Sequence, residues 1–72
     1  MRYMVIIEKG EKSYGAYVPD LPGCIAAADT EEEVKQLIKE AIEFHIESLR
    51  GVGEPIPAPS SESIYVEVEA AA

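Results

Sequence analysis

The stretch Tyr14-Gly15-Ala16-Tyr17-Val18-Pro19-Asp20-Leu21-Pro22-Gly23-Cys24 decides how this chain is read. Ser13 to Val18 is rich in β-formers and predicts a strand, and Pro19 ends it because proline cannot donate to a sheet ladder. Leu21-Pro22-Gly23-Cys24 has the composition of a type II turn: Pro22 presets φ at the second position and Gly23 supplies positive φ at the third. A tight turn returns the chain beside the strand it left, so Cys24 to Ala28 is expected as a second, small-residue strand running antiparallel to the first. Upstream, Tyr3 to Glu8 reads as another strand, apolar on both alternating sets (Tyr3, Val5, Ile7 and Met4, Ile6), the mark of a central strand covered on both sides. The short link through Gly10, Glu11 and Lys12 makes these two an antiparallel hairpin.

Downstream, Thr30 and Glu33 form a Thr-x-x-Glu capping box, and Glu31, Glu32 and Glu33 place negative charge where a helix dipole favours it. Val34, Leu37, Ile38, Ala41, Ile42, His45 and Leu49 recur at helical spacing as one stripe. Arg50 suits the last turn and Gly51 the C′ position. A helix of roughly 20 residues is expected. Gly51 to Ser63, with Pro55, Pro57 and Pro59, is a connector that cannot be helical. Ile64 to Glu69 alternates cleanly, with Ile64, Val66 and Val68 on one side and Tyr65, Glu67 and Glu69 on the other, and reads as a fourth strand with one wet face. The predicted fold is α+β, in the order β-β-β-α-β. It is a four-stranded mixed sheet of spatial order 3-2-1-4, with one helix on one face and the last strand parallel to the first after a right-handed crossover. The opposite face has no helix to cover Met4, Ile6 and Tyr17, which predicts a homodimer or homotetramer built through them.

With 72 residues the chain is expected to be a single domain, 1–72. A chain of this size buries only about 60% of its unfolded surface and gains from self-association. Its single cysteine makes no internal disulfide. Hydrophobic residues are 47% of the chain, which excludes a disordered acidic tail. Apolar runs such as Met4 to Ile7 are too short to span a bilayer. The start turns polar at Glu8 without a cleavage pattern, so a cytoplasmic protein is expected. Fourteen acidic against six basic residues, a formal net charge of −8, argue against direct nucleic-acid binding and fit a basic partner. The glutamate-rich, asparagine-free composition is similar to that of heat-adapted proteins.

The block from Tyr14 to Cys24, followed by Ala28-Asp29-Thr30 and a glutamate-rich helix start, resembles the HicB-type antitoxin family. Glu40-Ala41-Ile42-Glu43-Phe44-His45 and Glu54-Pro55-Ile56-Pro57-Ala58-Pro59-Ser60 extend the resemblance, which runs from about Met4 to Val68. It implies a partial ribonuclease-H-like fold. It also implies an antitoxin of a type II toxin-antitoxin system that binds and neutralises a small basic, mRNA-cleaving HicA-like toxin. Longer members add a C-terminal DNA-binding domain; the sequence ends soon after the fourth strand, so a short form without it is expected. The alternative is an orphan oligomeric regulatory or scaffold module with no toxin.

The chemistry-bearing residues each admit a plainer reading. A ribonuclease-H metal site needs carboxylates converging on two cations about 4 Å apart. One carboxylate would lie inside the first strand, and Tyr3 to Ile7 carries none, so Asp20 and Asp29 are read as turn and cap residues. No catalytic residue, metal or cofactor is expected, and the chain is read as a non-enzyme. Cys24 and His45 make a thiol–imidazole pair on paper, but a buried small hydrophobe and a packed histidine explain them as well. Glu40, Glu43 and Glu47 line one helix face, either as a solvated stripe or as a docking site for a basic partner. Tyr17, Asp20, Leu21 and Pro22 are turn-makers or a partner-contacting loop, with Leu21 as an exposed anchor in the second case.

Overall fold

The structure, a computed structural model, describes residues 1–70; the last two residues of the expected domain, 71–72, lie outside the described residues. Strand β1 spans Ile6–Lys9, β2 Tyr14–Tyr17 and β3 Ile25–Ala28, and helix α1 spans Glu31–Gly51. The three strands form one antiparallel sheet in the order β1-β2-β3, as the two predicted turns require. In the first turn the Gly10 N–H donates to the Ser13 carbonyl at 2.8 Å. In the second, the Cys24 N–H donates to the Leu21 carbonyl at 3.0 Å and Gly23 has φ +84°, the type II geometry that the Pro-Gly pair encodes.

Register sets the two faces. Ile7, Ala16 and Ala26 lie opposite one another across the sheet, as do Ile6, Tyr17 and Ile25. The first row points to the core, where Ala16, Val18, Leu21, Cys24, Val34 and Ile38 are buried. The second row lies on the other face, because successive strand residues alternate. Leu21 and Val34 are the largest fully buried side chains, each stabilising by roughly 1.5–3 kcal/mol through burial.

Helix α1 starts as its capping box predicts. Thr30 is extended at φ −127° and its Oγ1 accepts from the Glu33 N–H at 3.1 Å. The Glu33 carboxylate accepts from the Thr30 hydroxyl at 3.1 Å rather than from its backbone N–H. The helix runs two residues further than the C′ assignment of Gly51 implies: Val52 is the C-cap and Gly53, at φ +73°, takes the left-handed position. The Glu54 N–H reaches the Leu49 carbonyl at 2.9 Å and the Gly53 N–H the Arg50 carbonyl at 3.1 Å, a Schellman closure. Of the predicted apolar stripe, Val34 and Ile38 are buried and Ala41 and Ile42 pack against them, while Leu37 is exposed.

The fourth strand is the main correction. Ile64 to Glu69 takes no place in the sheet, and from Glu62 to Ala70 every residue is exposed. The sheet therefore has three strands among the described residues, and β1, expected in the middle of a 3-2-1-4 order, lies at an edge. The alternating pattern specifies a residue set suited to pairing but not which edge receives it. The connector is held short of the tail: the Tyr3 hydroxyl donates to the Pro57 carbonyl at 2.5 Å.

Candidate functional site

The loop between β2 and β3 holds two of the expected contact residues for structural reasons. Leu21 is 0% exposed and sits in the core between the turn and α1, so it is not an exposed anchor. The turn that Pro22 and Gly23 make points its preceding residue inward, and burial is the most favourable place for a leucine side chain there. Asp20 holds the connector. Its Oδ2 accepts from the backbone N–H groups of Ser60 and Ser61, both at 2.9 Å. Its Oδ1 accepts from the Ser60 and Ser61 hydroxyls at 3.1 and 2.7 Å. The Ser61 N–H does most to lower the Asp20 pKa from 3.8 to about 2, followed by the Ser61 hydroxyl and the Ser60 N–H, because each stabilises the carboxylate form. Ser60 and Ser61 lie forty residues away in a compositionally bland connector, and only the presence of a carboxylate in a tight loop hinted at such a clamp.

Tyr17 and Pro22 remain at the surface. Tyr17 lies on the open face of the sheet between Ile6 and Ile25, and Met4 sits two residues before Ile6. Tyr17 is 40% exposed and Ile25 70%, so this row presents an apolar strip to solvent. The small-residue composition of β3 hides Ile25 in the sequence; its alternation with Ala26 carries the signal.

Glu40, Glu43 and Glu47 are all exposed on α1. Glu40 accepts from the Gln36 side-chain amide at 2.9 Å. Glu43 and Glu47 border a shallow cleft with Met1, Ile46 and Arg50. Phe44, beside them and outside the apolar stripe, is also exposed. Lys35 is engaged with Glu31 at 3.4 Å, which leaves the glutamates further along the helix without that partner. Because α1 packs on the core face, the glutamates and the Tyr17 strip lie on opposite sides of the sheet. The expected contact residues thus fall on two separate surfaces. Cys24 is buried, and desolvation pushes its thiol pKa up, which disfavours the nucleophilic thiolate. The described residues hold no group of three or more His, Cys, Asp or Glu placed to bind a metal ion. None of their helices is long and apolar enough to cross a membrane.

An α+β unit of three antiparallel strands and one helix is shared with a known structure. Residues 3–70 match the model of the HicB-like antitoxin of bacterial toxin-antitoxin systems. The chain belongs to that family. A UPF0150 protein of Thermoplasma acidophilum is 46% identical over 67 residues, covering 92% of this chain and 97% of its own. An uncharacterised 14.9 kDa protein of Haemophilus phage HP1 is 41% identical over 66 residues, and there the chain spans 92% of itself but only 50% of the relative. Among solved structures, a HicA3–HicB3 toxin-antitoxin complex contains a chain that superposes with a TM-score of 0.71 at 33% identity, over 83% of this chain and 70% of that one.

Proposed function

We propose that this chain is an antitoxin that binds and neutralises a small, basic, mRNA-cleaving toxin of the HicA type, with its acidic side chains standing where RNA phosphates would sit. The observation that carries the reading is the likeness to a chain of the HicA3–HicB3 complex, and the formal net charge of −8 supplies the complementarity that steers such a pair together. Glu40, Glu43 and Glu47 form the electrostatic part of the contact, while Tyr17, Pro22 and the loop that Asp20 braces form a second contact. The protein acts in the cytoplasm, as a single domain that self-associates, with a sheet completed to the four-stranded, ribonuclease-H-like order 3-2-1-4.

The test is co-expression with a small basic toxin of the HicA type, followed by co-purification and a cell-growth rescue assay. The native chain is expected to restore growth and co-purify. The double variant Glu43→Lys/Glu47→Lys is expected to bind about tenfold or more weakly, with a reduced dependence on salt. Unchanged binding by that variant removes the helix face from the reading, and no binding by the native chain removes the antitoxin function. A second reading, an orphan oligomeric module without a toxin, is favoured by the open apolar row Ile6–Tyr17–Ile25, and the native chain's failure to bind a HicA-type toxin would select it.

A further inference from the structure

Two features of the fold are incomplete, and they are complementary. Strand β1 carries apolar residues on both faces, yet it lies at the sheet edge. Its Ile7, with Tyr3 and Val5 just before the strand, only partly reaches the core. Helix α1 lies across β3 and β2 and barely reaches β1, so among the described residues the edge has neither a pairing strand nor full cover. An edge of this kind presents unpaired N–H and C=O groups to any strand that approaches. The tail has the opposite deficiency. Ile64, Val66 and Val68 alternate with Tyr65, Glu67 and Glu69 as a strand would, yet Ile64, Tyr65, Val66 and Val68 are each at least 69% exposed. The long axis of the chain is 54 Å, against about 31 Å for a helix of this length.

The connector explains why the tail stands away from its own sheet. Pro55, Pro57 and Pro59 stiffen it as an extended spacer. The Asp20 clamp then holds Ser60 and Ser61 at the end of the sheet where β1 begins, and Arg2, Tyr3 and Met4 line a cleft there with Ser61 and Ser63. From Glu62 to Ala70 the chain is exposed and pairs with no strand. Glu62, Glu67 and Glu69 bring acidic charge, and Arg2 and Lys9 flank β1 with basic charge.

We infer that Ile64–Glu69 of each chain adds as the fourth strand to the β1 edge of a second copy, giving a closed, strand-exchanged homodimer. A two-fold axis makes the exchange reciprocal, so both orphan edges and both tails are satisfied at once. A six-residue strand of about 20 Å is long enough for a full edge pairing. The inference rests on the self-association part of the reading above and not on the toxin.

The test uses the full chain in sedimentation-equilibrium and amide-exchange measurements, with Val66→Pro as the variant. Val66 lies in the exposed tail, so the variant leaves the body folded, which the helix signal in circular dichroism verifies. The native chain is expected to be a dimer with slow exchange at 64–69 and at Ile6–Lys9. Val66→Pro is expected to weaken self-association by about 100-fold, the scale of a proline placed inside a hydrogen-bonded element, and to expose both segments to exchange. A native monomer overturns self-association and strand exchange together. A dimer that survives Val66→Pro with an unprotected tail overturns strand exchange alone and leaves the open sheet face as the interface. A monomer whose residues 64–69 are protected shows pairing within one chain and also overturns the inference.

Discussion

Leu21→Ala tests the claim that a turn residue supplies the core. Leu21 is 0% exposed and packs with Val18, Cys24, Val34 and Ile38. The substitution deletes the equivalent of three buried carbons, about 2.4 kcal/mol at about 0.8 kcal/mol each. The cavity left behind adds to this, so the expected loss is roughly 3–4 kcal/mol, within the range seen for buried leucines. A domain of this size has about 4–11 kcal/mol in total, so the variant loses roughly a quarter or more of its stability and its melting temperature falls by about 12 °C or more. The measurement is urea unfolding followed by circular dichroism at one fixed protein concentration, because self-association shifts apparent stability. Leu37→Ala, at an exposed position on the same face of α1, serves as the control and is expected to cost less than about 1 kcal/mol. A Leu21→Ala loss below about 1 kcal/mol would refute the placement of this side chain in the core.

Three further outcomes follow from local geometry. The Asp20 pKa is depressed to about 2, so the clamp on Ser60 and Ser61 is complete above the unfolded-state value near 4 and is lost as pH falls toward 2. Amide resonances of Ser60 and Ser61 should therefore titrate with a midpoint near 2, and a midpoint near 4 would show that the carboxylate does not hold them. Gly23→Ala forces a side chain into φ +84° with open space around it, so the cost is backbone strain alone, about 1 kcal/mol in denaturant unfolding; a neutral result would mean the turn is not type II. Thr30→Ala removes the acceptor for the Glu33 N–H and is expected to cost about 1 kcal/mol by the same assay, whereas Thr30→Asp should retain most of the stability.

The elements that local chemistry controls are legible in the sequence. The Pro22-Gly23 turn, the Thr30 cap and the β1-β2-β3 neighbour order each depend on residues close in sequence, whose backbone preferences do not wait for packing. The same holds for the family resemblance, which rests on the contiguous block from Tyr14 to Cys24. The candidate surfaces were only partly legible. Helical spacing places Glu40, Glu43 and Glu47 on one helix face, but it does not tell that they and Tyr17 face opposite sides of the sheet.

What tertiary structure alone decided depends on partners distant in sequence. Leu21 in a polar, proline-rich loop reads as exposed until α1 is laid over it, and Asp20 reads as a turn residue until Ser60 and Ser61 arrive forty residues later. The tail shows the limit most directly. Alternation from Ile64 to Glu69 encodes the capacity to pair, since side chains on a strand point to opposite faces in turn. It does not encode the edge that receives the strand, because backbone hydrogen bonding is the same for any free edge and the choice is made by where the connector delivers the chain.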